Sequence, residues 1–192
     1  SFAKTLVGFL PGGLALINIV SAMMMGAIAG SAMASASAMG TILGPEMEKE
    51  GYSKEFGAAV NITSSTTGLV IPPSNTLIVY SLASGGVSIA ALFLAGYIPG
   101  ILTGLFMMIV AMVWAKKNNY PVGKRSSIKE IFVKFIDALP SLLLLVIVIG
   151  GIIGGIFTAT EASAVAVLYT ILLSFYYKEL SIKDMPKVIL ES

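Results

Sequence analysis

The 192-residue chain contains no cysteine and no histidine, and only 11% of its residues are charged. Each shortage removes a class of chemistry. Without cysteine there are no disulfides, thiolate metal sites or thiol nucleophiles. Without histidine there is no imidazole base and no Ser-His-Asp triad. The phosphate-binding pattern GxxxxGK[ST] is also missing, so the chain does not read as an ATPase. A soluble domain carries roughly 25% charged residues. This chain is instead 56% hydrophobic with mean hydropathy +0.92, and its formal charge of +2 does not suggest a nucleic-acid partner. The composition is that of an all-α membrane protein that is not an enzyme.

Apolar stretches long enough to cross a bilayer recur along the chain. Residues 14–44, "LALINIVSAMMMGAIAGSAMASASAMGTILG", carry no charge. As one helix they would be about 46 Å long, against roughly 30 Å of hydrocarbon. One solution is a tilted, overlong helix. The other is a re-entrant hairpin turning back at "GAIAGSAMASAS", where glycine, alanine and serine permit a tight turn. Gly26 and Gly30 also form a GxxxG pair, which fits simple helix packing equally well. Backbone that is not helical at such depth needs protein or a watery cavity around it. Residues 1–13 lead into this segment from the cytoplasmic side, and a polar linker follows at 45–57.

The second apolar segment, 58–83, contains "TSSTTGLVIPPSNT". Proline removes a backbone donor and clashes with the preceding turn, so two adjacent prolines predict a broken helix. Carbonyls between about Ser64 and Gly68 would then lack helical donors, and a hard cation is one partner for them. The half-helix restarting after the break would aim its N-terminal amides at an anion. The alternative is a kinked helix whose Ser and Thr side chains bond back to their own backbone.

Further spanning helices are expected at 89–115, 138–157 and 161–177. The GxxxG pairs at Gly96/Gly100/Gly104, Gly150/Gly154 and Gly151/Gly155 read as close helix packing. The loop "KKNNYPVGKRSSIK" carries five basic residues and no acid, so the positive-inside rule places 116–137 in the cytoplasm. Residues 45–57 and 178–192 are then cytoplasmic too, together with all 12 Lys and Arg. Glu161 is the only charge near the outer face, where it can cap the last helix. The chain starts with Ser1, lacks a signal-peptide layout, and stops in a charged juxtamembrane segment. It reads as the central piece of a larger membrane protein.

Four motifs in order carry a resemblance that covers nearly the whole chain. "GAIAGSAMASASAMGTILGPEMEKEGY", "SSTTGLVIPPS", "SIAALFLAGYIPG" and "GGIFTATEASAVAVLY" resemble the large membrane subunit (DctM-type) of TRAP transporters, within the ion transporter superfamily. The family usually reads like SGSAVAD, IIPPS and FTPTEA at these places. Here Ser35 stands where aspartate is common, Asn75 and Thr76 follow PPS, and Ala159 replaces a proline.

The resemblance implies an elevator-type inverted-repeat carrier in the bacterial inner membrane. It would import an organic anion (a C4-dicarboxylate, sialic acid or other sugar acid), with sodium ions as coupling ions and no other cofactor. Its partners would be a small (Q-type) membrane subunit and a periplasmic substrate-binding protein. Matching positions gives a sodium site from Gly30, Ser31, Ser64, Ser65 and Gly68. The substrate side would take Ser35, Pro72, Pro73, Ser74, Asn75 and Thr76. A full subunit would be about twice this length, with a second hairpin beyond residue 192. A channel-like or structural membrane subunit is the alternative, but polar residues clustered at two points favour a carrier over a continuous pore.

Overall fold

The computed structural model describes residues 2–123 and 127–177, and what it describes is helical. The expected cytoplasmic segment at 178–192 lies outside the described residues. The chain divides into two compact units, residues 1–137 and 138–192.

The first unit is built around α2 (Gly13–Ala29). This 17-residue helix is apolar on every side, and residues 13–19 are all buried. A helix with no polar face has to be covered all round. Here α1 (Phe2–Val7), α3 (Ala32–Lys49), α4 (Lys54–Ser65), a 3-10 turn (Thr66–Leu69) and α6 (Ile89–Lys117) all pack on it. Between the 3-10 turn and α6 runs the short α5 (Asn75–Ala83). A cluster of Tyr52, Phe56, Trp114 and Tyr120 closes the end where α4 starts and α6 finishes. The Ser53 amide donates to the Tyr120 hydroxyl there.

Two element boundaries differ from those expected. α3 runs through Pro45 to Lys49, so the linker before α4 shrinks to residues 50–53. The charges after Pro45 belong to the last turns of a helix that leaves the apolar region. α7 (Ile128–Ile153) likewise starts inside the stretch expected as a basic loop. Ile128, Ile131, Phe132, Phe135, Ile136 and Leu139 recur at helical spacing, while Lys134 and Asp137 pair at 3.2 Å on the other face. Charge content suggested a loop, but the 3.6-residue period decides for helix.

In the second unit, the end of α7 is followed by α8 (Ala159–Tyr176), which opens with a complete capping box. The Thr158 hydroxyl accepts from the Glu161 amide, and the Glu161 carboxylate accepts from the Thr158 amide at 2.7 Å. Tyr169 donates to the Pro140 carbonyl at 2.7 Å and ties the two helices together. Of the glycines here, Gly151 is buried with the Phe157 ring directly against it. A Cβ on Gly150 would meet nothing within 4 Å, and Gly155 ends the helix region with φ 68°. α6, α7 and α8 are each long and apolar enough to cross a membrane.

Candidate functional site

The hairpin formed by α2 and α3 turns within two residues. Gly30 takes a left-handed conformation (φ 59°) and its amide returns to the Gly26 carbonyl at 2.7 Å, which ends α2. A left-handed glycine after the last helical residue is a common helix stop. Ser31 is extended, and its hydroxyl accepts from the Ala34 amide at 3.3 Å, which starts α3. Serine is a favoured residue at this position for that reason.

Five hydroxyls in α4 and the following turn bond back to their own backbone, Thr63 to the Ala59 carbonyl at 2.7 Å among them. Ser64 and Ser65 donate to the Asn61 carbonyl at 3.2 and 2.7 Å, Thr66 to Thr63 and Thr67 to Ser64, both at 2.6 Å. This was expected only of a kinked, unbroken helix, yet the helix also breaks. The hydroxyl oxygens have spent their protons but keep lone pairs, so they can still accept or ligate.

After the 3-10 turn the Val70 and Ile71 amides both reach the Thr67 carbonyl, at 3.0 and 2.8 Å. Pro72 and Pro73 have no amide hydrogen, so the carbonyls of Gly68 and Leu69 lose their helical donors. Leu69 regains one from the Ser74 hydroxyl at 2.5 Å. The same Ser74 side chain accepts from the Leu77 amide and starts α5. The freed carbonyls thus sit at Gly68 and Leu69, at the edge of the window expected from sequence. The Ser64 carbonyl, at the start of that window, is not free, because the Thr67 hydroxyl has already claimed it.

The tip and the break meet. A Cβ on Gly30 would lie 3.0 Å from the Pro73 carbonyl oxygen and 3.4 Å from the Asn75 amide. A turn earlier, Gly26 and Gly68 touch backbone to backbone, and a Cβ on Gly26 would fall 2.4 Å from the Gly68 Cα. Four helix ends therefore converge. The C-terminal ends of α2 and the 3-10 turn present carbonyls, while the N-terminal ends of α3 and α5 present amides. The first pair suits a cation and the second an anion. No charged side chain occurs between Glu55 and Lys116 or between Lys4 and Glu46, so neutral dipoles alone set the field. No cluster of three His, Cys, Asp or Glu side chains exists among the described residues, so any ion here has hydroxyl and carbonyl oxygens for ligands.

The expected site residues divide by position. Gly30, Ser31, Gly68, Pro73 and Asn75 lie at or next to the meeting point. Ser64, Ser65, Pro72 and Ser74 are buried in the segment that forms the break, and Asn75 and Thr76 are exposed on the first turn of α5. Ser35 sits apart, because its buried hydroxyl donates to the Ala22 carbonyl at 3.1 Å and joins the two hairpin arms.

Sequence reasoning missed the support behind the break. A Cβ on Gly96 would fall 2.5 Å from the Val70 oxygen, one on Gly100 2.5 Å from Ile71 Cγ1, and one on Gly104 2.3 Å from Met23 Sδ. α6 thus lies flat against both the break and the hairpin. Asn61 was also missed. Its amide donates to the Ala36 carbonyl in α3 at 2.8 Å, while its own carbonyl receives Ser64 and Ser65. A polar side chain inside an apolar segment was the available signal.

The family described as "Tripartite ATP-independent periplasmic transporter, DctM component" matches residues 1–192. The chain is 55% identical over 192 residues to the uncharacterized protein YgiK of Salmonella typhimurium, covering all of this chain and 44% of that protein. It is 40% identical over 192 residues to the C4-dicarboxylate TRAP transporter large permease protein DctM of Pseudomonas aeruginosa, covering all of this chain and 45% of that one. Against the protein of the same name from Rhodobacter capsulatus, identity is 36% over 206 residues, with all of this chain and 47% of that protein covered. The chain spans about half the length of the curated relatives it matches. It belongs to the DctM component family, whose members are membrane proteins of the bacterial inner membrane.

Proposed function

We propose that this chain is the half of a TRAP large permease that holds one hairpin and one broken helix, and that it carries one sodium site and one side of an organic-anion cleft. The observation that carries this reading is the contact of the Gly30 tip with Pro73 and Asn75. Gly30, Ser31, Ser64, Ser65 and Gly68 would surround the sodium through backbone and hydroxyl oxygens. Ser74, Asn75 and Thr76, with Pro72 and Pro73 behind them, would face the anion at the start of α5. Sodium binding draws the carbonyl ends together, and the facing amide ends then receive the carboxylate. Ser35 would act at a distance, by holding the hairpin arms in register.

The permease would work with a small membrane subunit and a periplasmic substrate-binding protein. Residues 45–57 and 116–137 would face the cytoplasm, in keeping with their Lys and Arg content. A C4-dicarboxylate is the first substrate to test, since two of the relatives carry it in their names. Polar groups gathered at one meeting point favour a carrier over a channel.

The test is substrate uptake into proteoliposomes containing the full-length permease, its small subunit and the binding protein, titrated with sodium. Replacing Pro72 and Pro73 together by alanine lets the helix re-form and withdraws the Gly68 and Leu69 carbonyls. The sodium concentration for half-maximal uptake should rise at least tenfold while the protein still inserts. An unchanged sodium dependence would sink this reading.

A further inference from the structure

A second polar feature of the first unit lies away from the tip and the break. A cavity of about 290 Å³ opens between α2, α3 and α4, lined in part by Asn18, Met47, Glu48, Lys54 and Asn61. Asn18 is 1% exposed and marks its deep end. Glu48 and Lys54, paired at 3.5 Å, stand at the solvent side with exposed side chains.

At depth the amide oxygens of Asn18 and Asn61 are buried, and neither has a hydrogen-bond partner among the described residues. Their orientation follows from their other atoms. The Asn61 amide nitrogen is committed to the Ala36 carbonyl at 2.8 Å, and the Asn18 nitrogen faces Met47 Sδ at 3.9 Å. Buried acceptors without donors are rare and call for an explanation. The space beside them is kept by missing side chains. A Cβ on Gly44 would meet nothing within 4 Å, and one on Gly57 would meet only the end of Met47.

We propose that this cavity is a second cation site, for a small hard monovalent ion. The oxygens of Asn18 and Asn61 are its fixed ligands, and water entering past Glu48 completes the shell. Neutral oxygens without partners are what a hard cation needs. Asn61 also links the two sites, since its carbonyl receives the hydroxyls of Ser64 and Ser65. An ion on its side chain is therefore coupled to the last turn of α4, just before the break. The proposal does not depend on transport or on the ion site at the break.

Equilibrium dialysis of the purified full-length permease against radioactive sodium counts bound ions directly. Asn18→Leu removes one ligand at nearly constant volume and should lower the count by one sodium per chain. Asn18→Asp should keep it. Gly44→Met fills the cavity from α3 while leaving both asparagines in the sequence, and should also lower the count by one. That second variant decides the matter if Asn18→Leu does not fold. The Pro72 and Pro73 double variant alters the break and leaves both asparagines and the cavity lining unchanged, so the two readings can fail separately. Unchanged counts in Gly44→Met and in folded Asn18→Leu would mean a cavity holding water only, and would overturn the proposal.

Discussion

Among the described residues three single prolines lie inside helices, whereas one proline pair stands where a helix is broken. Pro45, Pro99 and Pro140 lie inside α3, α6 and α7, which run straight through. Pro72 and Pro73 separate the 3-10 turn from α5. A single proline costs its helix one hydrogen bond and a local clash, which a long apolar helix can absorb. Two in a row strip donors from consecutive carbonyls, and here the chain supplies a local replacement at once. Ser74 donates to Leu69 and caps α5 with the same hydroxyl. What separates the break from the other proline positions is the sequence around the prolines. Small residues on three sides let backbones approach: Gly26 and Gly30 on the hairpin, Gly68 on the turn, Gly96 and Gly100 on α6.

The largest expected effect sharpens that contrast. Gly68→Val places a side chain where a Cβ alone would be 2.7 Å from the Gly26 Cα, so two backbones must separate. Overpacking of this kind costs about 1–3 kcal/mol or more. The melting temperature of the purified permease should fall by several degrees, and sodium-dependent uptake should be lost. Gly150→Ala in the second unit meets nothing within 4 Å. It should be neutral or stabilise by up to about 1 kcal/mol through helix propensity. Equal losses in both variants would show that the close approach at Gly68 is not what the site depends on.

The proline comparison predicts an intermediate effect. Pro99→Ala restores a donor inside a helix that is already continuous, so melting should shift upward by the equivalent of about 1 kcal/mol or less, with uptake retained. The Pro72 and Pro73 double variant should instead weaken sodium dependence. A comparable loss of sodium dependence in Pro99→Ala would erase the distinction between the positions.

The same contrast explains how much was legible beforehand. The all-α membrane class follows from composition, because nothing else accommodates so many apolar residues with so few charges. The interruption before α5 coincides with the only proline pair, and the turn before α3 with a Gly-Ser step in a run of small residues. Those signals are local. The glycines of α6 read as generic packing, because spacing shows that a face is smooth but not what lies against it. The glycines at the end of α7 share the same spacing and pack no helix through Gly150. Asn18 and Asn61 drew no attention, since a single polar residue acquires meaning only when a second one faces the same space. Boundaries at charged ends were missed too. A charge inside an amphipathic helix, such as Lys134, looks in sequence like a charge in a loop.

The smallest effect concerns the aromatic end of the first unit, where packing rather than backbone approach holds the helices. Burial pushes the Tyr52 phenol up from its ordinary value of 10.0 to about 12, against the pull of the Leu14 amide. The fold therefore favours the neutral phenol. Its contribution to stability is complete below pH 10, where the unfolded chain would also be protonated. It drains away between pH 10 and 12, as ionisation of the unfolded form begins to compete. Ultraviolet titration of the tyrosines should lose one late-ionising group in Tyr52→Phe. Near neutral pH, Tyr52→Phe should change the melting temperature little, because the ring keeps its stacking on Phe56 and Tyr120. Above pH 10 the parent should lose stability faster than the variant. If the two fall together, the phenol is exposed to solvent, and the packing at this end is looser than the aromatic contacts imply.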